Sequence, residues 1–513
     1  MARGAVPIMT MRGAGTVCAV LVLGIVLGPV IAVFRAGSVN LSFGAADWAA
    51  LWFTVLQAAL SALFSVLLAI PVARALARRR FPGRQTLITL LGAPFILPVI
   101  VAVMGLLAVF GRNGLVNAVL GGLGLPVISI YGLWGVVLAH VFLNLPLAVR
   151  LLVQGWALIP AEPFRLAASM GLPIWRLLEW PMLRAMVPGA FAVIFLICLT
   201  SFAVALTLGG GPGATTLEVA IYQAVRFDFD LGRAATLALV QLAVGLCAAI
   251  LAWRLAAVTT FGGGMDRVVP RWDATGTLPR MLDAGWIGLV LVLLALPVIM
   301  IVLRGIPALP GLPPEVWPAL GRSVFVALSA SVLTVVLSLF IALRGGWPAL
   351  LSGAAPLAVS GMVLGTGLFL MVYPVVSPAT VALPVTALLN ALVGVPFALR
   401  ALGPAIAATE SAYGRLADEL GLTGWRRLRW VLLPRLRPAI GFAAGLTAAF
   451  SIGDLGVVTL FATETGQTLP LLMYRLMGAY RMADAAGVAL LLLLVSLAVF
   501  WIFDKGGRSG ADD

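Results

Sequence analysis

The side chains able to do chemistry are few, and their spacing excludes more than it offers. There is one histidine, His140, and there are three cysteines, Cys18, Cys198 and Cys247, each inside an apolar run. One imidazole cannot supply a histidine-based metal site. The cysteine spacings match neither a thiolate cluster nor a disulfide framework. No nucleophile stands at a spacing that pairs it with a base. The only lysine is Lys505, so no Gly-x-x-x-x-Gly-Lys-Ser/Thr loop exists to cradle nucleotide phosphates. An enzyme, a metal site and a bound cofactor are therefore not expected of this chain.

What remains is a set of polar groups in apolar surroundings. Asp454 is the clearest. A carboxylate at membrane depth costs about 2.5–3.5 kcal/mol on insertion scales, so it faces a bundle interior or a cavity. There it would suit a cationic solute, or it hydrogen-bonds a neighbouring helix. His140 and Asn144 share a helix face at i, i+4, where they line a path or join helices. Ser201 and Ser451 begin polar interruptions at matching places; they flank a gate or simply pack closely. Glu218, Tyr222 and Tyr474, with Asp228 and Asp230, fall in segments expected on the outer side. They are candidates to meet a partner there, although tyrosines also form interfacial belts.

The elements that position these groups follow from composition. Of 513 residues, 62% are hydrophobic and 10% charged, against about 25% charged in soluble domains. The apolar residues fall in long runs, which places the chain in lipid. The expected class is an all-α polytopic membrane protein of about 12 transmembrane helices. They are placed near 16–34, 51–74, 86–110, 131–153, 188–208, 235–257, 284–304, 324–343, 352–374, 379–400, 439–461 and 484–503. The first run is too long for a signal-peptide core and is read as a retained helix. The formal net charge of +14 does not indicate nucleic acid, because the arginines sit in short loops between apolar runs. One set of loops holds 25 basic residues and the other 8. The positive-inside rule puts the richer set, with both termini, in the cytoplasm.

The chain also repeats itself. His140-Val-Phe-Leu-Asn144-Leu-Pro146-Leu-Ala148-Val-Arg150 resembles Asn390-Ala-Leu-Val-Gly394-Val-Pro396-Phe-Ala398-Leu-Arg400, at an offset of 250 residues. The loops that follow keep this offset. Arg165-Leu-Ala-Ala-Ser-Met-Gly171-Leu-Pro-Ile-Trp175 matches Arg415-Leu-Ala-Asp-Glu-Leu-Gly421-Leu-Thr-Gly-Trp425. Equivalent loops on one side of the membrane require parallel halves. The division expected is 1–258 and 284–513, six helices each, with a cytoplasmic linker at 259–283. In each motif loop Leu, Ala, Met or Leu, and Trp are expected to form one apolar face, and the glycine to end a helical piece. Such a face rests on lipid headgroups or docks a partner; duplication favours a two-fold partner.

The motif resembles the coupling-loop signature of ATP-binding-cassette importer permeases, Glu-Ala-Ala-x-x-x-Gly followed by Leu-Pro. Ala167, Gly171, Ala417 and Gly421 match it. Arg165 and Arg415 stand where the family often has Glu, and Leu166 and Leu416 replace the first Ala. Leu433-Pro434 falls in register, whereas Pro181 comes three residues early, as if the first loop were shortened. Further stretches, among them Arg79-Arg80-Phe-Pro-Gly-Arg84, Leu97-Pro-Val-Ile-Val-Ala-Val and Leu208-Gly-Gly-Gly-Pro-Gly-Ala-Thr-Thr, look like the fused permeases of bacterial thiamine importers. So does Ser451-Ile-Gly-Asp454-Leu-Gly-Val-Val. The likeness runs from about residue 55 to 490.

The resemblance implies the type I importer permease fold in the bacterial inner membrane. It implies a periplasmic binding protein that delivers thiamine or its phosphate esters, and a homodimeric cytoplasmic ATPase on the two loops. The coupling residues would be Arg165, Ala167, Gly171, Trp175, Arg415, Ala417, Gly421, Trp425 and Pro434. Fused ferric-iron permeases share the architecture and keep that substrate open. A secondary transporter with two parallel halves is the rival class; it needs no paired docking motifs and more often carries several intramembrane charges.

Overall fold

A computed structural model describes residues 9–37, 43–91, 97–255, 275–462 and 466–508. The first half contains α1 (Met9–Gly37), α2 (Ala45–Arg78), α3 (Arg84–Leu90), α4 (Val99–Phe110), α5 (Leu115–Gly122), α6 (Leu133–Leu158), α7 (Ala161–Ser169), α8 (Trp180–Leu199), α9 (Ala203–Leu208), α10 (Leu217–Arg226) and α11 (Leu231–Leu255). The second contains α12 (Thr277–Gly305), α13 (Val316–Arg344), α14 (Gly346–Ala358), α15 (Gly361–Val372), α16 (Ala382–Glu419), α17 (Gly424–Arg427), α18 (Leu433–Ile452), α19 (Val458–Phe461), α20 (Leu469–Gly478) and α21 (Met482–Arg508). No strand occurs among the described residues.

Lipid removes the hydrophobic drive for helix association, so close packing has to hold the bundle. Small residues allow it. Ala58, Ala62, Ala69, Ala148 and Ala190 lie buried where α2, α6 and α8 meet. In the second half α13, α16 and α18 pack in the same way. The first helix of each half lies against the other half: α1 against α13 and α15, α12 against α2 and α4. The closest approaches are at glycines. A Cβ on Gly105 of α4 would sit 2.8 Å from the Pro297 carbonyl oxygen of α12, and one on Gly367 of α15 would strike the Pro29 carbonyl of α1.

Ten helices, or eleven if one bent pair is a single crossing, are long and apolar enough to span among the described residues. The expected count was twelve. The bent pair is α14 and α15, which meet at 92° where Ser360 accepts a hydrogen bond from the Val363 N–H, 3.2 Å, and caps α15. The stretch 439–461 falls outside that set on composition and not on length, since α18 has 20 residues. Its helix α18 begins with Arg435 and Arg437 nearby and stops at Ile452, and α19 resumes only at Val458. The stretch 188–208 is also broken, between α8 and α9. Residues 92–96 of the third expected helix lie outside the described residues, as do 259–274 of the expected linker; α12 already begins at Thr277.

The halves differ on the way into the motif loops. In the first, α6 ends at Leu158 and α7 starts after Pro160. In the second, Glu410 takes the place of that proline, and α16 runs unbroken for 38 residues, to Glu419. Proline disfavours the α conformation in the residue before it, so Ile159 is extended and the helix stops.

Candidate docking loops and substrate path

Each motif loop ends a helix in the same way. The Leu172 N–H donates to the Ala167 carbonyl at 2.9 Å, and the Leu422 N–H to the Ala417 carbonyl at 2.8 Å. Gly171 and Gly421 both sit at φ +63°. This is a glycine-terminated helix end, which needs the left-handed conformation at that residue. Ala167 and Ala417 turn into the protein; Ala167 packs on Phe164 and Ile174. They are therefore not part of the expected surface face. Leu166, Met170 and Trp175 in one loop, and Leu416, Leu420 and Trp425 in the other, are exposed. Arg165 and Arg415 are exposed beside them.

Both loops then pass through one π-helical turn, Trp175–Glu179 and Leu428–Leu432. π turns interrupt the regular ladder and gather at functional sites. The next helix starts in each case with proline at its second residue, Pro181 or Pro434. The two prolines thus hold the same local place despite their sequence register. The difference is absorbed ahead of the π turn, where the second loop has one extra helical turn, α17. Trp175 opens the π turn while Trp425 lies in α17, so this matched pair is equivalent in sequence and not in position.

The anchors of the two loops are unlike. Glu179, fully buried, accepts from Arg74 Nε at 2.8 and 3.1 Å and from Trp156 Nε1 at 3.1 Å. The Arg74 guanidinium also lies 5.4 Å from the Trp175 ring centroid. In the second loop Arg427 binds Glu410, and it donates to Asp418 at 2.6 Å; both acids belong to α16. There Leu428, Leu432 and Leu436 pack on Leu339, Leu402 and Ile406.

The candidate path residues separate into two groups. Asn144 donates to the His140 carbonyl at 3.0 Å and to Cys198 Sγ at 3.4 Å, so it joins α6 to α8. His140 Nδ1 lies 3.3 Å from Ser61 Oγ of α2, and its Nε2 is buried without a hydrogen bond. Ser201 lies in the break between α8 and α9. The second group sits at the other break. Asp454 is not within a helix; it occupies the interruption between α18 and α19, where its Oδ1 accepts from the Gly456 N–H at 3.0 Å. Asn390 Nδ2 donates to Ser451 Oγ at 2.9 Å and lies beside the Asp454 carboxyl. Asp454 Oδ2 is buried with no hydrogen-bond partner. A broken helix frees backbone groups to line a cavity, and solute sites in transporters are built this way.

In the segments expected on the outer side, Glu218 and Tyr222 are buried, which removes them as surface contacts. Glu218 faces Gln241, Ser360 and the Met362 backbone. Tyr222 packs edge-on against Phe202 and Phe227, 5.5 and 5.6 Å between centroids. Tyr474 is half-buried; Asp228 and Asp230 are exposed. The helices behind them are pinned alike: the Leu217 N–H donates to Thr54 Oγ1 and the Leu469 N–H to Ser323 Oγ, each at 2.8 Å.

No family model matches the chain. It is 40% identical to the thiamine transport system permease protein ThiP of Salmonella typhimurium over 486 residues, 91% of this chain and 90% of that one. It is 40% identical to the Escherichia coli ThiP over 489 residues, 90% and 91% of the two chains. The chain belongs to the thiamine transport system permease family. The Haemophilus influenzae member is 32% identical over 516 residues, 93% and 94% of the two chains. Membership makes the protein a multi-pass permease subunit of the importer class that its motif loops resemble, and not an enzyme. Three features of the permease escaped the motif reading. Asn390 was legible only as the residue 250 positions after His140. Glu179 and Arg74 carry no motif. Thr54 and Ser323 lie in runs where a hydroxyl is unremarked until its partner is seen.

Proposed function

We propose that the chain passes thiamine, and its phosphate esters, across the bacterial inner membrane under the drive of ATP hydrolysed elsewhere. A periplasmic binding protein would deliver the solute, and two identical cytoplasmic ATPase subunits would dock on the two motif loops. The observation that carries this reading is the matched pair of glycine-ended loops, each presenting exposed Leu and Trp from a rigid helix end. A lipid-resting segment has no need of duplication in equivalent frames. The packing pairs support two parallel halves, 1–258 and 284–513, joined by the linker. The loop arginines support cytoplasmic termini and loops. Closure of the ATPase pair would rock the halves about the polar break that holds Asn390, Ser451 and Asp454. The thiazolium of thiamine carries a positive charge, and Asp454 supplies the opposite charge in a low-dielectric setting. His140, Asn144 and Ser201 mark the corresponding place in the first half. Asp230 and Asp228, the latter paired with Arg233, are exposed acids that the binding protein would meet.

Uptake of labelled thiamine by vesicles carrying the permease with its ATPase and binding protein tests the reading. Failure with thiamine and success with ferric iron would replace the substrate. Asp454→Asn removes the charge at constant shape. Thiamine uptake is expected to fall about tenfold, equivalent to ~1.4 kcal/mol, with the ATPase still bound. Unchanged uptake by that variant removes Asp454 from the path.

A further inference from the structure

The cytoplasmic end of α2 makes two sets of buried ion pairs within two helical turns. Arg74 holds Glu179 at the exit of the first motif loop. One turn on, Arg78 holds Asp283 of α12 with two bonds, Nη2 to Oδ1 at 2.6 Å and Nε to Oδ2 at 2.9 Å. Arg79 Nε reaches the same carboxylate at 2.6 Å. Asp283 and Glu179 are both buried, and α12 belongs to the second half of the chain. Trp156, at the end of α6, also donates to Glu179. The entry and exit of the loop are thus tied to one helix end, and that helix end is tied to the other half.

We infer that the end of α2 is a relay. It transmits displacement of the first motif loop to α12 through Glu179, Arg74, Arg78, Arg79 and Asp283. Charge-assisted arginine bonds, forked at Arg78, fix direction as well as distance, so a pull on Glu179 turns α2 instead of sliding past it. The second loop is anchored differently. Where Glu179 ends the first π turn, Leu432 ends the second, and it rests in a leucine cluster. Arg427 binds acids of α16, the helix that enters the same loop. An apolar contact tolerates sliding, because it lacks directional bonds. The two docked ATPase subunits therefore couple unequally: one through a chain of ion pairs that crosses between the halves, the other through ion pairs to its own entry helix and leucine packing. Arg74 and Glu179 are positioning residues in this scheme and touch no solute.

The inference rests on the docking reading and is tested separately from it. The permease, with its ATPase and binding protein, is reconstituted in vesicles as wild type, Arg74→Gln, Glu179→Gln and the reversed pair Arg74→Glu/Glu179→Arg. The readout is ATP hydrolysed per thiamine taken up, at equal amounts of bound ATPase. The single variants are expected to raise that ratio 3- to 10-fold, and the reversed pair to recover part of the loss. Should Glu179→Gln fail to assemble, Arg74→Lys, which keeps the charge but loses the fixed, planar Nε–H donor, carries the same test. An unchanged ratio in assembled single variants overturns the relay. A wild type without ATP-driven uptake overturns the docking reading instead.

Discussion

Replacement of Asp283 by alanine is expected to destabilise the permease by about 3–5 kcal/mol, the range measured when one partner of a buried ion pair is deleted. The carboxylate is matched by two guanidinium groups, and the side chains of Asp283 and Arg78 are only 6% and 7% exposed. Deletion leaves the Arg78 guanidinium buried without its carboxylate. Arg78 is the worse placed, since Arg79 is 19% exposed and can turn toward water. Arg79→Ala should therefore cost clearly less than Asp283→Ala. Asp283→Glu, which keeps the charge, should recover most of the stability. Thermal unfolding of the purified protein in detergent checks the series. A loss under 1 kcal/mol for Asp283→Ala would show that water reaches the site. The pair also spans the two halves, so its loss should loosen α12 from α2 before it disturbs the core of α2, α6 and α8. Faster hydrogen exchange at the start of α12 reports this directly.

Placing a large residue at Gly421 is expected to abolish coupling while leaving the protein folded. The glycine sits at φ +63°, and a Cβ there would meet no atom within 4 Å. The cost within the permease is confined to backbone strain of about 1–2 kcal/mol for a left-handed residue. That is too little to unfold the protein. The open space beside the glycine is the space a docked partner would fill. Gly421→Ala should therefore show the strain alone, with uptake lowered about twofold. Gly421→Trp should lower uptake more than tenfold while the ATPase still hydrolyses ATP. Normal coupling in Gly421→Trp would remove this loop from the docking surface. Gly171 has the same φ and the same open surroundings, so Gly171→Trp is expected to behave alike.

The glycine effect was legible from spacing alone, and the aspartate effect was not. Gly421 lies within a local motif whose helix end is decided by neighbours a few residues away. Asp283 meets Arg78 across 205 positions, and Glu179 meets Arg74 across 105. No periodicity or motif encodes such distances. The same division explains the path residues. His140 and Asn144 share a face in sequence, but the partner helices decide that Asn144 ties α6 to α8 while His140 keeps one nitrogen unpaired. Glu218 and Tyr222 were expected at a surface and are buried, because a short helix can turn inward when its start is pinned to a span.

By itself the sequence determined membrane residence, the helical class, the paired glycine-ended loops and the repeated frame around them. Each of these follows from local hydropathy or from conformational rules that act over a few residues. Only the tertiary structure decided that α18 ends at Ile452 and leaves Asp454 in a break, that Asn390 joins Ser451 beside Asp454, and that Pro181 and Pro434 share one role. It alone showed that the first loop is anchored by charge to α2, and the second by ion pairs to its own entry helix α16 and by leucines. The reason is physical: a span tolerates a break, a buried acid or an inserted turn only if distant helices supply the compensating contacts, and those contacts exist only once the bundle is assembled.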